Sequence, residues 1–86
     1  MTVTTSHGQT FPIDWMWETL APARGVRLQL RDSRPLSEIA ADFEGCDRFH
    51  RESAEEGDRD FDGYTQLTGI LRPAGGVAQL TLEKPL

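Results

Sequence analysis

The chain has 86 residues, of which 37% are hydrophobic and 27% charged, and its formal net charge is -5. This composition is typical of one globular domain over residues 1–86, and it excludes a membrane span, which needs a run of ~20 apolar residues. A single cysteine allows no internal disulfide, and the N-terminus lacks the basic and apolar regions of a signal peptide. We therefore expect an intracellular protein.

Two strands are predicted before residue 20. Val3 and the threonines around it favour a short first strand. The aromatic and aliphatic residues at positions 11, 13, 15 and 17 then recur with period two, which predicts a strand with one aromatic face. Pro12 cannot donate to a ladder, so this strand should begin there or lie at an edge. We interpret Trp15 and Trp17 as the bulk of a small core, with a stacking or binding platform as the alternative.

A strand and a helix are predicted in the middle of the chain. Pro22 and Gly25 mark a loop, after which the alternation of residues 26–31 indicates a half-buried strand. Asp32 or Ser33 can cap a helix that has Pro35 in its first turn. Leu36, Ile39, Ala40 and Phe43 give that helix one apolar face, and Gly45 occupies the position of a C-terminal cap.

The second half of the chain is predicted to form strands and turns. Residues 46–53 are a candidate strand, with Cys46, Arg48 and His50 on one face, and residues 55–58 form a charged loop. Residues 60–71 are rich in aromatic, Thr, Leu and Ile residues, so we expect a central strand there. The glycines of residues 73–76 make a turn, and residues 77–84 alternate as a last strand.

These elements predict an α+β fold, in which an antiparallel sheet of about five strands carries one short helix on one face. The predicted core consists of the apolar residues that share the inward phase of each element: Phe11, Ile13, Trp15, Val26, Leu28, Leu30, Leu36, Ile39, Phe43, Tyr64, Leu67, Ile70, Leu80 and Leu82.

Negative charge is concentrated in one quarter of the chain. Residues 42–62 hold nine carboxylates against three arginines, whereas the remaining residues have a slight positive excess. Such a segment repels nucleic acid and attracts basic partners. The candidate partner-binding residues are the six carboxylates of its second half: Glu52, Glu55, Glu56, Asp58, Asp60 and Asp62.

Two patterns in the sequence are candidate chemical sites. Residues 58–63 match D-x-D-x-D-G, the first half of an EF-hand calcium loop, but Gly69 stands where the loop needs a bidentate Glu. We predict no metal or cofactor there and keep weak calcium binding as an alternative. Cys46 and His50 suggest a nucleophile and base or half a zinc site, yet a third orienting group or further ligands are missing. We expect no enzymatic activity.

Three segments carry a family resemblance: residues 34–45 with the helix, residues 61–67 with Gly63-Tyr64-Thr65, and the closing residues 77–84. Together they resemble small uncharacterised proteins encoded by phages and prophages of gut bacteria. The resemblance covers most of the chain from Val26 onward and implies a phage origin, with the bacterial cytoplasm or the virion as location. The acidic loop at residues 51–60 is longer here than the family pattern.

Two functions follow as hypotheses. The first is a non-enzymatic, anti-CRISPR-like inhibitor that sets its acidic patch against the basic channel of a host nucleic-acid-binding defence complex. It would bind protein, without direct contact to nucleic acid or membrane. The second is a structural or assembly protein of a phage particle, in the tail or baseplate region, which would self-associate through exposed edge strands.

Overall fold

The computed structural model describes residues 1–20 and 23–85. Within these residues the chain forms one helix and seven strands, joined by antiparallel pairings. The α+β class with an antiparallel sheet is thus confirmed, but the sheet has seven strands rather than about five. The elements in chain order are β1 Thr2–Thr5, β2 Thr10–Thr19, β3 Gly25–Arg31, α1 Leu36–Phe43, β4 Arg48–Glu52, β5 Arg59–Asp62, β6 Gln66–Leu71 and β7 Val77–Glu83.

The expected central strand at residues 60–71 is wrong, because the chain breaks it into β5 and β6. Gly63 adopts a φ of +84°, which only glycine takes up readily, and its N–H donates to the carbonyl of Asp47 at 2.9 Å. Tyr64 is buried beside the rings of Phe49 and Phe61 instead of joining a ladder. The break accounts for one of the extra strands.

The two halves of that segment lie at the two edges of the sheet, whose strand order is β5-β4-β1-β2-β3-β7-β6. In a flat sheet the edges would be about 29 Å apart, since neighbouring strands are separated by about 4.8 Å. The link from Asp62 to Gln66 can span at most about 14 Å. The sheet must therefore roll over on itself, which gives it a concave inner face that encloses the core.

Strand β2 forms the corner of the rolled sheet. Its first residues pair with β1, and its ladder with β3 runs from Ile13 to Thr19 with a register shift between Ile13 and Trp15. Strands that pass from one packed layer to the next typically bend at such a bulge. The prediction that this strand begins at Pro12 or lies at an edge is wrong, because β2 begins at Thr10 and has a neighbour on both sides.

Proline is tolerated in this interior strand because of where its missing N–H falls. The N–H of Ile13 donates to the carbonyl of Met1 on the β1 side, at 2.8 Å. Alternate amides point to opposite sides of a strand, so the nitrogen of Pro12 faces the β3 side. The β3 ladder begins only at Ile13, so Pro12 removes no ladder hydrogen bond.

The bulge also reverses the alternation on which the core prediction rested. Ile13 and Met16 are both buried, with two residues between them where a regular strand has one. Trp15 is therefore only partly buried and Trp17 is 54% exposed. The interpretation of the tryptophans as core bulk is wrong, since a one-residue shift moves every later side chain to the other face.

The core fills the concave face. Ten of the predicted members are buried, while Leu36, Leu67 and Ile70 pack at its margin. The aromatic bulk expected from tryptophan comes instead from Phe49 and Phe61, which oppose each other in the β4–β5 register with ring centroids 5.2 Å apart. The core residues missed by the sequence prediction are Val3, Met16, Phe49, Phe61 and Ala78.

Helix α1 buries its predicted face against this core. Ile39 and Phe43 are fully buried, and the Phe43 ring centroid lies 5.1 Å from that of Phe11. Pro35, rather than Asp32 or Ser33, occupies the N-cap position, and no side chain caps the helix. Asp32 instead accepts the backbone N–H of Arg34 at 2.8 Å. The C-terminal prediction is confirmed, since Gly45 has a φ of +72°.

The remaining connections agree with the turn signals. Gly76 adopts a φ of +80° in the turn before β7, and Leu80 and Leu82 point inward as expected. Pro22, which marked the loop before β3, lies outside the described residues, and Gly25 is the first residue of β3. No helix in the described ranges is long and apolar enough to cross a membrane.

Mutation can test the finding that phenylalanine, rather than the expected tryptophan, fills the core. Phe61→Ala should lower the free energy of unfolding by about 3–5 kcal/mol, because it empties a fully packed site. Trp17→Ala should change it by less than about 1 kcal/mol, because this ring lies on the surface. Urea denaturation followed by circular dichroism measures both. Equal losses for the two variants would contradict this assignment of the core.

Candidate functional site

The six predicted site residues all lie on one hairpin, formed by β4, β5 and the loop between them (residues 48–62, hereafter the acidic hairpin). The tip of this hairpin is fixed by local hydrogen bonds. The hydroxyl of Ser53 accepts the Glu56 N–H at 3.0 Å, its carbonyl accepts the Gly57 N–H at 2.9 Å, and its own N–H donates to Asp58 at 3.2 Å. The carboxylates at the tip are therefore displayed from a defined turn.

The charge at the tip is only partly compensated. Arg51, whose side chain is 12% exposed, pairs with Glu56 at 3.3 Å and also donates to the carbonyl of Gly57. Glu52 and Glu55 are exposed, and within residues 1–20 and 23–85 neither forms an ion pair. The tip therefore presents a local excess of negative charge.

Asp60 and Asp62 stand apart from the tip. They project from β5 on the side away from the buried Phe61, and each faces a basic group across the β4 pairing. Asp60 accepts from His50 at 2.6 Å between Oδ1 and Nδ1, and Asp62 lies 3.8 Å from Arg48. The fold thus divides the six residues into a tip group, comprising Glu52, Glu55, Glu56 and Asp58, and two strand carboxylates with basic neighbours.

The geometry gives no support to a calcium loop. Asp58, Asp60 and Asp62 follow an extended chain rather than the turn by which an EF-hand loop brings its ligands together. In the part of the chain that the structure describes, no three His, Cys, Asp or Glu side chains are grouped so that they could hold a metal.

Cys46 and His50 do not form a pair. Cys46 lies outside β4 and is 1% exposed; its thiol donates to the carbonyl of Arg48 at 2.9 Å and contacts the Ser6 hydroxyl at 3.1 Å. His50 is instead engaged with Asp60. The expectation that Cys46 shares a strand face with Arg48 and His50 is wrong, because the strand begins two residues later.

Sequence reasoning missed an ion pair that joins β2 to β5. Both guanidinium nitrogens of Arg59 donate to Glu18, one of them at 3.0 Å, and the guanidinium carbon of Arg59 lies 4.4 Å from the ring centroid of Phe61. Forty-one residues separate the partners, so no local pattern signals the contact. The pair links the far end of β2 to the acidic hairpin and so fixes the hairpin relative to the corner strand.

A cleft of about 220 Å³ opens beside this pair. Its walls combine three basic side chains, three carboxylates and apolar surface, so it has no dominant charge. The lining consists of Glu18, Leu20, Arg24, Arg59, Asp60, Phe61, Asp62, Tyr64 and Lys84.

Comparisons with protein-family models, with curated proteins and with solved structures found no match.

The Glu18–Arg59 pair makes a pH-dependent contribution to the stability of the fold. The hydrogen bond from Arg59 holds the pKa of Glu18 below its ordinary value of 4.5, against the opposing effect of burial. A carboxyl whose folded pKa is depressed stabilises the fold above its unfolded pKa and loses that contribution as the pH falls through the folded pKa. We therefore expect Glu18 to titrate below 4.5 by side-chain NMR, and Arg59→Gln to return it toward that value. An unchanged Glu18 titration in Arg59→Gln would contradict the pairing.

Proposed function

We propose that this protein is a non-enzymatic, phage-derived inhibitor that binds a host nucleic-acid-binding defence complex in the manner of an anti-CRISPR. The tip of the acidic hairpin is the surface that contacts the partner. The observation that carries the proposal is the exposed, uncompensated charge of Glu52 and Glu55 on a turn held by hydrogen bonds from Ser53.

An inhibitor that occupies a nucleic-acid channel must satisfy the positive charges of that channel. Such a channel contains Lys and Arg placed to neutralise phosphates, and binding to it releases counterions. Carboxylates on a rigid support can satisfy the same cations, and a fixed turn reduces the ordering cost that a flexible acidic tail would incur. The tip group supplies four carboxylates within seven residues, Glu52 to Asp58.

The local contacts of the six residues differ in how free they leave each carboxylate to bind a partner. Glu52, Glu55 and Glu56 extend from the tip, and Glu56, whose side chain is 49% exposed, can engage a partner once it releases Arg51. Asp58 holds the turn through Ser53, and Asp60 and Asp62 already face basic groups in the same chain. We therefore assign direct contact chiefly to the three glutamates and a supporting role to the three aspartates.

A charge-swap experiment tests the proposal. Purified guide-loaded CRISPR effector complexes are incubated with labelled target DNA, and displacement of the DNA is followed by fluorescence anisotropy. Wild type should displace DNA from at least one complex, less effectively as salt rises. A variant with Glu52, Glu55 and Glu56 changed to Gln should lose about 10-fold or more in potency, a difference of about 1.4 kcal/mol.

A matched control removes the same charge elsewhere. Glu38, Glu44 and Asp47 are exposed and form no ion pair within the described ranges, so Glu38→Gln, Glu44→Gln and Asp47→Asn together leave the tip intact. The control should keep most of the potency. If a folded tip variant displaces DNA as well as wild type does, the tip is not the binding surface.

One observation favours the second candidate, a structural or assembly protein of a phage particle. The edge strand β6, residues 66–71, carries no charged residue, and its last residue, Leu71, is 47% exposed. The other edge, β5, bears three charged side chains, which discourage pairing with another strand. Without charged side chains, β6 is less protected than β5 against strand addition between copies, although helix α1 contacts β6 and the β6–β7 register shifts between Leu67 and Gly69.

This candidate predicts association that a single edge charge weakens. Light scattering after size exclusion should show oligomers of the wild type. Thr68→Lys places a charge on β6 and should shift the population toward monomer, whereas Ser37→Lys, at an exposed position of α1, should not. A wild type that stays monomeric at high concentration would rule out assembly through this edge.

A further inference from the structure

The bulge in β2 places both tryptophans of the chain on the outer face of the rolled sheet. The rings of Trp15 and Trp17 are stacked, with centroids 4.6 Å apart and planes 22° from parallel. More than half of the Trp17 surface is exposed, so the side of its ring turned away from Trp15 is open to solvent. Bulges are over-represented next to active sites, where they re-aim side chains, and two stacked rings on an outer face form an apolar surface larger than a single exposed side chain.

A hydrogen-bonded polar cluster borders the stacked rings. Asp14, the bulge residue next to Trp15, accepts from Gln29 at 2.7 Å and from Arg31 Nε at 2.8 Å. Gln29, which is directly opposite Trp15 in the ladder, accepts in turn from Gln79 of β7 at 2.9 Å. These side chains are held in place by one another. Arg31 remains 66% exposed, so its terminal nitrogens are free to donate to a ligand.

We propose that this outer face, made of the tryptophan stack and the Asp14–Gln29–Arg31 cluster, is a binding site for a neutral carbohydrate chain. The proposal is independent of the acidic hairpin, which plays no part in it.

The chemistry of a pyranose matches this arrangement. One face of the sugar ring carries C–H groups that pack on the flat, electron-rich surface of an indole, while hydroxyl groups at the rim both donate and accept hydrogen bonds. The cluster offers both functions beside the indole: free guanidinium donors on Arg31, and carboxylate and amide oxygens on Asp14 and Gln79. An open platform suits a chain of sugars, because successive units can lie along it.

Charge selects a neutral ligand over a nucleic acid, which also stacks on tryptophan. The charges of Asp14 and Arg31 cancel within the cluster, Arg27 adds one exposed positive charge opposite Trp17 in the ladder, and the whole chain is at -5. Nucleic-acid sites combine aromatic rings with a groove of several cations that follows the phosphates, whereas a single arginine without an acidic partner lies on this face among the described residues. A ligand with a ring and hydroxyls but no net charge meets no repulsion here.

Intrinsic fluorescence is a direct reporter, because Trp15 and Trp17 are the only tryptophans in the chain. Maltohexaose, cellohexaose and chitohexaose are titrated to millimolar concentration, with a single-stranded oligothymidylate as the charged comparison. At least one oligosaccharide should change the emission with saturation, and the oligothymidylate should not. No response to any oligosaccharide, or a response to oligothymidylate alone, overturns the proposal.

Variants separate ring stacking from the polar contacts, with binding followed by calorimetry. Trp17→Ala should weaken binding by about 10-fold or more, and Arg31→Ala by a smaller factor. Glu44→Ala removes an exposed side chain at the C-terminal end of α1 and should bind as wild type does. Circular dichroism confirms that each variant is folded. Unchanged affinity in folded Trp17→Ala, or an equal loss in Glu44→Ala, would overturn the assignment.

Discussion

The bulge at Asp14 in β2 is the local feature on which the rest of the structure depends. β2 pairs with β1 through Pro12 and with β3 from Ile13 onward, with the bulge beside this change of partner, so this single strand turns the corner between the two halves of the sheet. The same bulge reverses the alternation, so that Met16 enters the core and the tryptophans leave it. Corner geometry, core composition and the outer aromatic surface therefore share one cause.

The rolled sheet is held closed by contacts between residues distant in sequence. The Glu18–Arg59 pair links the end of β2 to β5, and the short connection through Gly63 and Tyr64 links the β5 edge to β6. Arg72, just after β6, donates to the carbonyls of Asp32 and Val77, at 2.7 and 3.0 Å, and also to that of Arg34. It thereby ties the chain before α1 to the β6–β7 hairpin.

Strand pairing in the acidic hairpin gives some of its carboxylates basic partners and leaves others without one. In sequence the six carboxylates form one uniform stretch, but β4 supplies Arg48, His50 and Arg51 to three of them. The inner face of the same hairpin sets the guanidinium carbons of Arg51 and Arg59 over the Phe61 ring, at 5.5 and 4.4 Å from its centroid. The hairpin carboxylates without a basic partner consequently lie at the tip.

The sequence by itself determined the elements whose signals are local. Regular alternation identified β3 and β7, the spacing of Leu36, Ile39 and Phe43 identified α1 and its buried face, and glycine identified the turns at Gly45 and Gly76. It also located the acidic residues on one loop-bearing segment. These features depend on residues within a few positions of one another, so periodicity and turn chemistry are sufficient to find them.

Only the tertiary structure decided which side chains meet across the chain. The split of residues 60–71 into opposite edges depends on Gly63 turning while Tyr64 joins an aromatic cluster from β4 and β5. The exposure of Trp17 depends on a bulge that no short pattern encodes, because a bulge is defined by its partner strand. The separation of Asp60 and Asp62 from the hairpin tip likewise follows from the β4 register, which sets His50 and Arg48 opposite them. Pairing and register depend on both partner strands, so the local sequence pattern of one strand is not sufficient to determine them.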